Sequence, residues 1–137
     1  MTIKALSEAY LNALEAQDLE TFSSLLGDAP TIDIPLSNTG DSAPWFTFEG
    51  REQALGYIAT IFSNFSQVKL TERRTYVSDD GKTAFVEAKG DLIQRDTEAS
   101  YRNVYVFKMS MQDGRISHVR EYANPVPFAK LMGMPLG

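Results

Sequence analysis

Cysteine is absent from this 137-residue chain, and histidine occurs only once. The first absence removes disulfides, thiolate nucleophiles and cysteine-ligated zinc or iron–sulfur centres together. The second removes metal sites built on paired imidazoles, so neither a metal nor a cofactor is expected. No Walker-type or dinucleotide-binding glycine pattern occurs, and no Ser-His-Asp set can be assembled around a single histidine. Apolar runs are short, none approaching the ~20 residues that span a bilayer. The N-terminal MTIKALSEAYLNALEAQ also lacks the apolar stretch and cleavage site of a secretory signal, so a cytoplasmic protein with no membrane role is expected. Concentrated basic charge is missing too: 13 Lys and Arg against 18 Asp and Glu give a net charge of −5. Scattered cations of that number argue against nucleic acid as a partner and leave a small, weakly charged ligand.

What is present is ordinary for a globular protein: 43% apolar and 23% charged residues. The length suits one domain over residues 1–137, burying roughly two thirds of its unfolded surface, enough for a core that also walls a cavity. Leu6, Tyr10, Ala13 and Leu14 have helical spacing. Leu19, Phe22, Leu25 and Leu26 repeat it after Asp18, an N-cap, with Gly27 as the expected stop. Residues 31–35 (TIDIP) alternate like a strand, and the loop SNTGDSAP leads to Trp45, Phe46 and Phe48. A third helix follows Glu49-Gly50, with Leu55, Ile58, Ile61, Phe62 and Phe65 on its apolar face. The period then changes to two, predicting strands at 68–77, 83–93, 100–111 and 115–122. Asp79-Asp80-Gly81-Lys82 and Gln112-Asp113-Gly114 are turn signals between them. Helices followed by a meander of antiparallel strands predict an α+β fold with the helices on one face of a curved sheet. The tail after Pro127 reads as one helical turn that frays or docks on a neighbour.

The turn after Met111 decides which side chains share a face with Glu121. A two-residue Asp113-Gly114 loop places His118 and Arg120 on the aromatic side. A three-residue loop with a bulge at Gly114 places Tyr105 opposite Glu121 and Phe107 opposite Val119. The second register is preferred because it collects Tyr101, Asn103, Tyr105, Phe107, Met109, Val119 and Glu121 on one face and sends Arg102, Lys108, His118 and Arg120 to the other. A lone carboxylate on an aromatic face is what a buried general acid or base requires, since desolvation lifts its pKa toward neutrality. A strand-end glutamate is more often simply solvated, and Tyr101, Tyr105 and Phe107 are more often plain core. Asn103, if buried, must satisfy backbone groups or address a ligand. Asp33, between Ile32 and Ile34, points either into the cup or out to solvent. Glu87, Lys89 and Asp91 form a charged outer face over small inner residues Ala88 and Gly90. Trp45, Phe46 and Phe48 line a pocket mouth or seal the core.

The order helix, helix, strand, helix and long antiparallel strands resembles the nuclear transport factor two-like superfamily, which includes ketosteroid isomerase and SnoaL-type cyclases. Within it the chain looks most like the PhzA/PhzB type of phenazine biosynthesis, most specifically from Tyr101-Arg102-Asn103 to Arg120-Glu121 and Asn124-Pro125. The resemblance implies a cone-shaped curved sheet, antiparallel or mixed, wrapped around three helices of the N-terminal half with an internal pocket. It implies Glu121 as general acid and Tyr101 near the ligand. At the pocket histidine of the phenazine proteins this chain has Val68-Lys69-Leu70-Thr71, which speaks against phenazine condensation itself. The resemblance also implies a homodimer through the outer sheet face, where Val104, Val106, Ile116 and Tyr122 would serve.

The expected function is cofactor-independent proton transfer on a cyclic or aromatic metabolite: isomerisation, cyclisation, condensation or dehydration. Glu121 is the catalytic candidate; Tyr101, Asn103, Tyr105, Phe107, Trp45 and Asp33 are the substrate-binding candidates. A non-catalytic small-molecule binder or dimeric scaffold on the same fold is the alternative. Epoxide hydrolysis would need a second inward acid, for which Asp33 is the candidate.

Overall fold

The computed structural model describes residues 1–136. Helix α1 (Ile3–Ala16) begins where the Thr2 hydroxyl accepts the Ala5 amide at 3.1 Å, satisfying one of the donors a helix start leaves open. Its apolar positions bury Ile3, Leu6, Tyr10 and Leu14, and the Tyr10 ring meets Phe22 at 4.7 Å between centroids. Helix α2 (Leu19–Leu25) starts at Asp18, whose carboxylate accepts the Thr21 amide at 3.1 Å. Gly27 does not stop this helix as expected, because strand β1 (Leu26–Ile34) already contains it. The stop is Arg51, which donates to the carbonyls of Leu26 and Gly27 at 3.0 Å and of Ser23 at 3.1 Å. Ser23 O also accepts the Leu26 amide, and the Leu26 and Gly27 carbonyls lie just past the last helical residue, where a guanidinium meets the negative end of the helix.

The remaining elements are β2 (Phe46–Glu49), α3 (Gly50–Asn64), β3 (Phe65–Val77), β4 (Thr83–Gln94), β5 (Ser100–Gln112), β6 (Arg115–Ala123) and α4 (Pro125–Leu131). Strand order is β2-β1-β6-β5-β4-β3, antiparallel throughout except for the parallel β1–β6 pair. The α+β architecture is therefore as expected, with a mixed sheet. A bulge between Thr71 and Arg74, with Glu72 at φ 51°, interrupts the β3 ladder, and such an insertion bends its strand. Phe65, expected on the third helix, is the first residue of β3, and the Arg95 guanidinium caps the end of α3 by donating to the carbonyls of Ser63, Phe62 and Phe65.

The turn between β5 and β6 differs from the expected three-residue loop. Asp113 and Gly114 both have positive φ, 54° and 75°, and Gln112 faces Arg115, the signature of a two-residue type I′ hairpin. Met111 then pairs with Ile116, but Ser110 pairs with His118, so Ser117 is left over as a bulge. Beyond it Phe107 opposes Glu121 and Met109 opposes Val119, whereas Tyr105 opposes Ala123. An extra residue on one strand flips every side chain beyond it. The bulge thus lies within β6 rather than at Gly114, and Glu121 still faces the same side as Tyr101, Tyr105 and Phe107. Ile116, expected on the outer face, is buried with no exposed surface because it lies on the hairpin side of the bulge.

The tail forms a full helix rather than one turn. Asn124 Oδ1 accepts the Val126 amide at 3.0 Å, Pro125 occupies the first helical position, and Ala129 is buried, a start for which proline's fixed φ is suited. Among the described residues no helix is long and apolar enough to cross a membrane.

Replacing Arg51 by Ala is expected to lower unfolding free energy by about 2 kcal/mol, because several charge-assisted bonds to helix-end carbonyls are lost at once. Urea denaturation measures it. Lysine at the same position should recover little, lacking the guanidinium fork.

Candidate active site

The concave face of the sheet, the inner side of α3, the end of α1, β2 with its preceding loop, and α4 enclose a cavity of about 280 Å³. Its wall is largely apolar and carries nine aromatic rings. Phe48 stacks on Tyr57 at 4.4 Å and Tyr105 on Phe107 at 5.4 Å, while Trp45 meets Phe128 edge-on at 5.7 Å across the mouth. Gly90, on the strand beside Tyr105, leaves the space that this ring occupies: a Cβ there would overlap Tyr105 Cε2. Among the described residues no Lys, Arg or His lines the cavity, and Glu121 is the one acidic side chain on its wall.

Glu121 sits beside Phe107 on the inner face, with its exposed surface turned to the cavity and protein surrounding it otherwise. Burial raises its pKa from the ordinary 4.5 to about 7, against the opposing effect of the Tyr57 hydroxyl, which donates to Glu121 Oε2 at 3.1 Å. A carboxyl with one hydrogen bond and apolar neighbours has little to replace lost hydration. The Tyr10 and Tyr57 hydroxyls are in turn pushed well above 10 by burial and by the Glu121 charge, so both stay protonated.

Of the residues singled out from the sequence, Glu121, Tyr101, Tyr105, Phe107 and Trp45 all line the cavity. Asn103 does not. It is buried behind the wall, where its amide bonds the Tyr101 hydroxyl at 2.8 Å and the Asn124 backbone. Asp33 lies on the other side of the sheet and is no substrate contact: its Oδ2 is 2.8 Å from His118 Nε2 and 3.5 Å from Arg120. Burial alone would raise Asp33, but His118, Thr47 and Arg120 more than reverse this and hold it below the ordinary carboxyl range. The reason is alternation: Ile32 pairs with Val119 in the core, so Asp33 must face out beside Arg120.

Tyr57 and Phe128 are functional candidates that the sequence reading missed. Tyr57, Ile61 and Asn64 form a second stripe at helical spacing on α3, beside the buried Ala54 and Ile58. A tyrosine flanking an apolar stripe was the available signal. Among the described residues no cluster of His, Asp and Glu is arranged to hold a metal.

Residues 7–119 match the SnoaL-like domain. The chain belongs to the SnoaL-like family. Among curated proteins, this SnoaL-like chain is similar to the uncharacterized protein YesE of Bacillus subtilis, 24% identical over 85% of the chain and 78% of YesE. Among solved structures, it resembles a phenazine biosynthesis-related protein, PhzB2, from Pseudomonas aeruginosa: TM-score 0.82, 18% identity, 98% of this chain and 82% of that one. A hypothetical protein with a ketosteroid isomerase-like fold from Catenulispora acidiphila, solved in complex with trimethylamine, superposes at TM-score 0.74 with 17% identity over 95% of this chain and 93% of that one. At these identities the likeness is one of fold, and the fold is the nuclear transport factor two-like, ketosteroid isomerase-like one.

The raised Glu121 pKa makes stability pH-dependent. Below about 4.5 both folded and unfolded chains hold the proton, and the contribution is complete. As pH rises toward 7 only the unfolded chain releases it, so stability falls, by up to roughly 3 kcal/mol by pH 8. Chemical denaturation at pH 5 and pH 8 should show this fall in the wild type and largely lose it in Glu121→Gln.

Proposed function

We propose that the cavity is the active site of a cofactor-independent enzyme that transfers protons on an uncharged cyclic or aromatic metabolite, with Glu121 as acid and base. The observation that carries this reading is a single carboxyl, poised at about 7, on an aromatic cavity wall. Such a group is both a competent base and a competent acid near neutral pH. Isomerisation, cyclisation, condensation and dehydration all use that pair of steps. Tyr57 holds the carboxyl in place, and the aromatic wall excludes water and accepts flat rings. With no cation on the wall, a carboxylate or phosphate substrate would meet an uncompensated desolvation cost. Epoxide hydrolysis is not favoured, since Asp33, its second acid, faces outward.

Enolisation of a ring ketone in deuterium oxide tests the reading. The Glu121 carboxylate takes the proton from the carbon next to the carbonyl, an enolate forms, and a solvent-exchanged deuteron returns to that carbon. Exchange into 2-tetralone should rise through a single ionisation near pH 7 and level off above it. Glu121→Gln should lower the rate by ~100-fold or more while leaving ligand affinity in place. A wild-type rate no faster than buffer at every pH would sink the enzymatic reading, and retained binding would then leave a small-molecule binder.

The same reading includes a homodimer through the outer sheet face. It is supported by Tyr76 and Phe85, paired across β3 and β4 and 54% and 40% exposed, with Val104, 58% exposed, further along the sheet beside Lys89. Sedimentation should give a dimer for the wild type and a monomer for Val104→Lys; a monomeric wild type removes the dimer from the proposal.

A further inference from the structure

Glu121 is bracketed by two stacked aromatic pairs. On the α3 side the Tyr57 hydroxyl donates to Oε2 at 3.1 Å, and the Tyr57 ring stacks on Phe48 at 4.4 Å with 12° between the planes. On the sheet side Phe107 is the cross-strand neighbour of Glu121, and its ring stacks on Tyr105 at 5.4 Å and 18°. The other carboxyl oxygen, Oε1, accepts no bond from the described residues, and among them no side-chain oxygen lacking a partner is sealed from the surface. Oε1 therefore opens to the cavity that Glu121 lines.

Once ionised, this carboxylate has no counter-ion on the wall among the described residues. The other titratable groups facing it are phenols, Tyr10 from α1, Tyr57 from α3, and Tyr101 and Tyr105 from β5, each held protonated by burial. The walls from β2, β3, β4 and α4 bring only apolar side chains. A desolvated carboxylate with one hydroxyl partner lacks the compensation that an opposite charge supplies. The faces of the rings beside it carry the negative end of their quadrupoles and attract a cation as well. A hard metal ion does not suit this donor set, since it needs several oxygens and only one carboxylate stands here. A primary ammonium would bring three N–H donors to an apolar wall, whereas a tertiary or quaternary ammonium brings one or none.

We propose that the cavity also binds hydrophobic organic cations, tertiary or quaternary ammonium ions on an apolar or aromatic body, with the Glu121 carboxylate as counter-ion and the Phe48–Tyr57 and Tyr105–Phe107 pairs as an aromatic cage. A tertiary ammonium places its N–H on Oε1; a quaternary one needs no acceptor and lies against the rings. Such a ligand occupies the carboxylate and blocks proton transfer on the uncharged substrates described above. The inference rests on the cavity being a small-molecule site, but not on turnover at Glu121. Because Glu121 holds its proton below about 7, binding a cation there displaces that proton. Affinity for the cation then falls ~10-fold for each pH unit below that value and is level above it.

The test compares phenyltrimethylammonium with tert-butylbenzene, the same shape with carbon in place of the charged nitrogen. Binding to the whole chain is followed by the fluorescence of Trp45, the single tryptophan, which stands at the cavity mouth. Between about pH 5 and pH 7 the wild type should bind the cation ~10-fold more tightly per pH unit, while tert-butylbenzene shows no such rise. At about pH 8, Glu121→Gln should weaken the cation by ~30-fold or more and leave tert-butylbenzene in place. Phe48→Leu should weaken the cation ~5-fold more than tert-butylbenzene, the worth of one ring face. Retained tert-butylbenzene binding reports an intact cavity in both variants. Calorimetry at about pH 6 in buffers of different ionisation enthalpy should show close to one proton released per cation bound and none for the hydrocarbon, a readout that packing alone does not move. A cation affinity that is flat across pH, or equal in the wild type and Glu121→Gln, overturns the inference, as does a cation that fails to bind at pH ~8. An equal loss of both ligands in Phe48→Leu overturns it too, since the rings would then form no cage. Deuterium exchange into 2-tetralone without cation binding removes this inference alone; cation binding without exchange retains it and removes the enzymatic reading.

Discussion

Keeping one carboxyl on an aromatic wall with a single hydroxyl for company is the constraint to which the rest of the site answers. Glu121 is desolvated by the rings around it, and the Tyr57 bond offsets only part of that cost. That bond depends on where α3 sits, and α3 is tied at both ends. Arg51, in its first turn, reaches back to the carbonyls that close α2, and Arg95 caps the carbonyls of its last turn. Tyr57 lies between these two anchors, stacked on Phe48. The acid's environment is thus set by two surface-reaching arginines that never approach it.

The other pole of the cavity hangs on Asn103. The β5–β6 ladder ends at Tyr105 and Ala123, and one residue later the Asn103 side chain takes over, meeting both the N–H and the C=O of Asn124. Asn124 in turn caps α4, which carries Phe128 to Trp45 at the mouth. One buried amide therefore fixes the end of the last strand, the start of the helix over the opening, and the direction of the Tyr101 hydroxyl. Buried polar networks of this kind specify geometry because each member has its partners and no other arrangement satisfies them.

Much of this organisation was legible in the residues. Periodicity separated helices from strands, Asp18 marked the α2 start, and charge segregation placed Glu121 on the aromatic face. The failures are particular. Gly27 looked like a helix stop, yet the stop came from Arg51, distant in sequence. Asp33 alternates between two isoleucines that both face inward, and alternation alone says nothing about which side is in. Ile116 was placed outside because the Ser117 bulge leaves no mark on composition. Tyr57 reads as one residue on the flank of a helix until the glutamate above it is known.

Local chemistry in the chain therefore determined the elements, the class of fold, and which face of the last strands was apolar, because those follow from spacing and alternation along neighbouring residues. Tertiary structure decided the register, the side of the sheet taken by Asp33, the partner of Glu121 and the orientation of Asn103. Each of these depends on a contact between residues far apart in the chain: Tyr57 with Glu121, Arg51 with Leu26, Asn103 with Asn124. No window of sequence contains both members of such a pair, and the acid's pKa, being a property of its whole enclosure, is decided only when they meet.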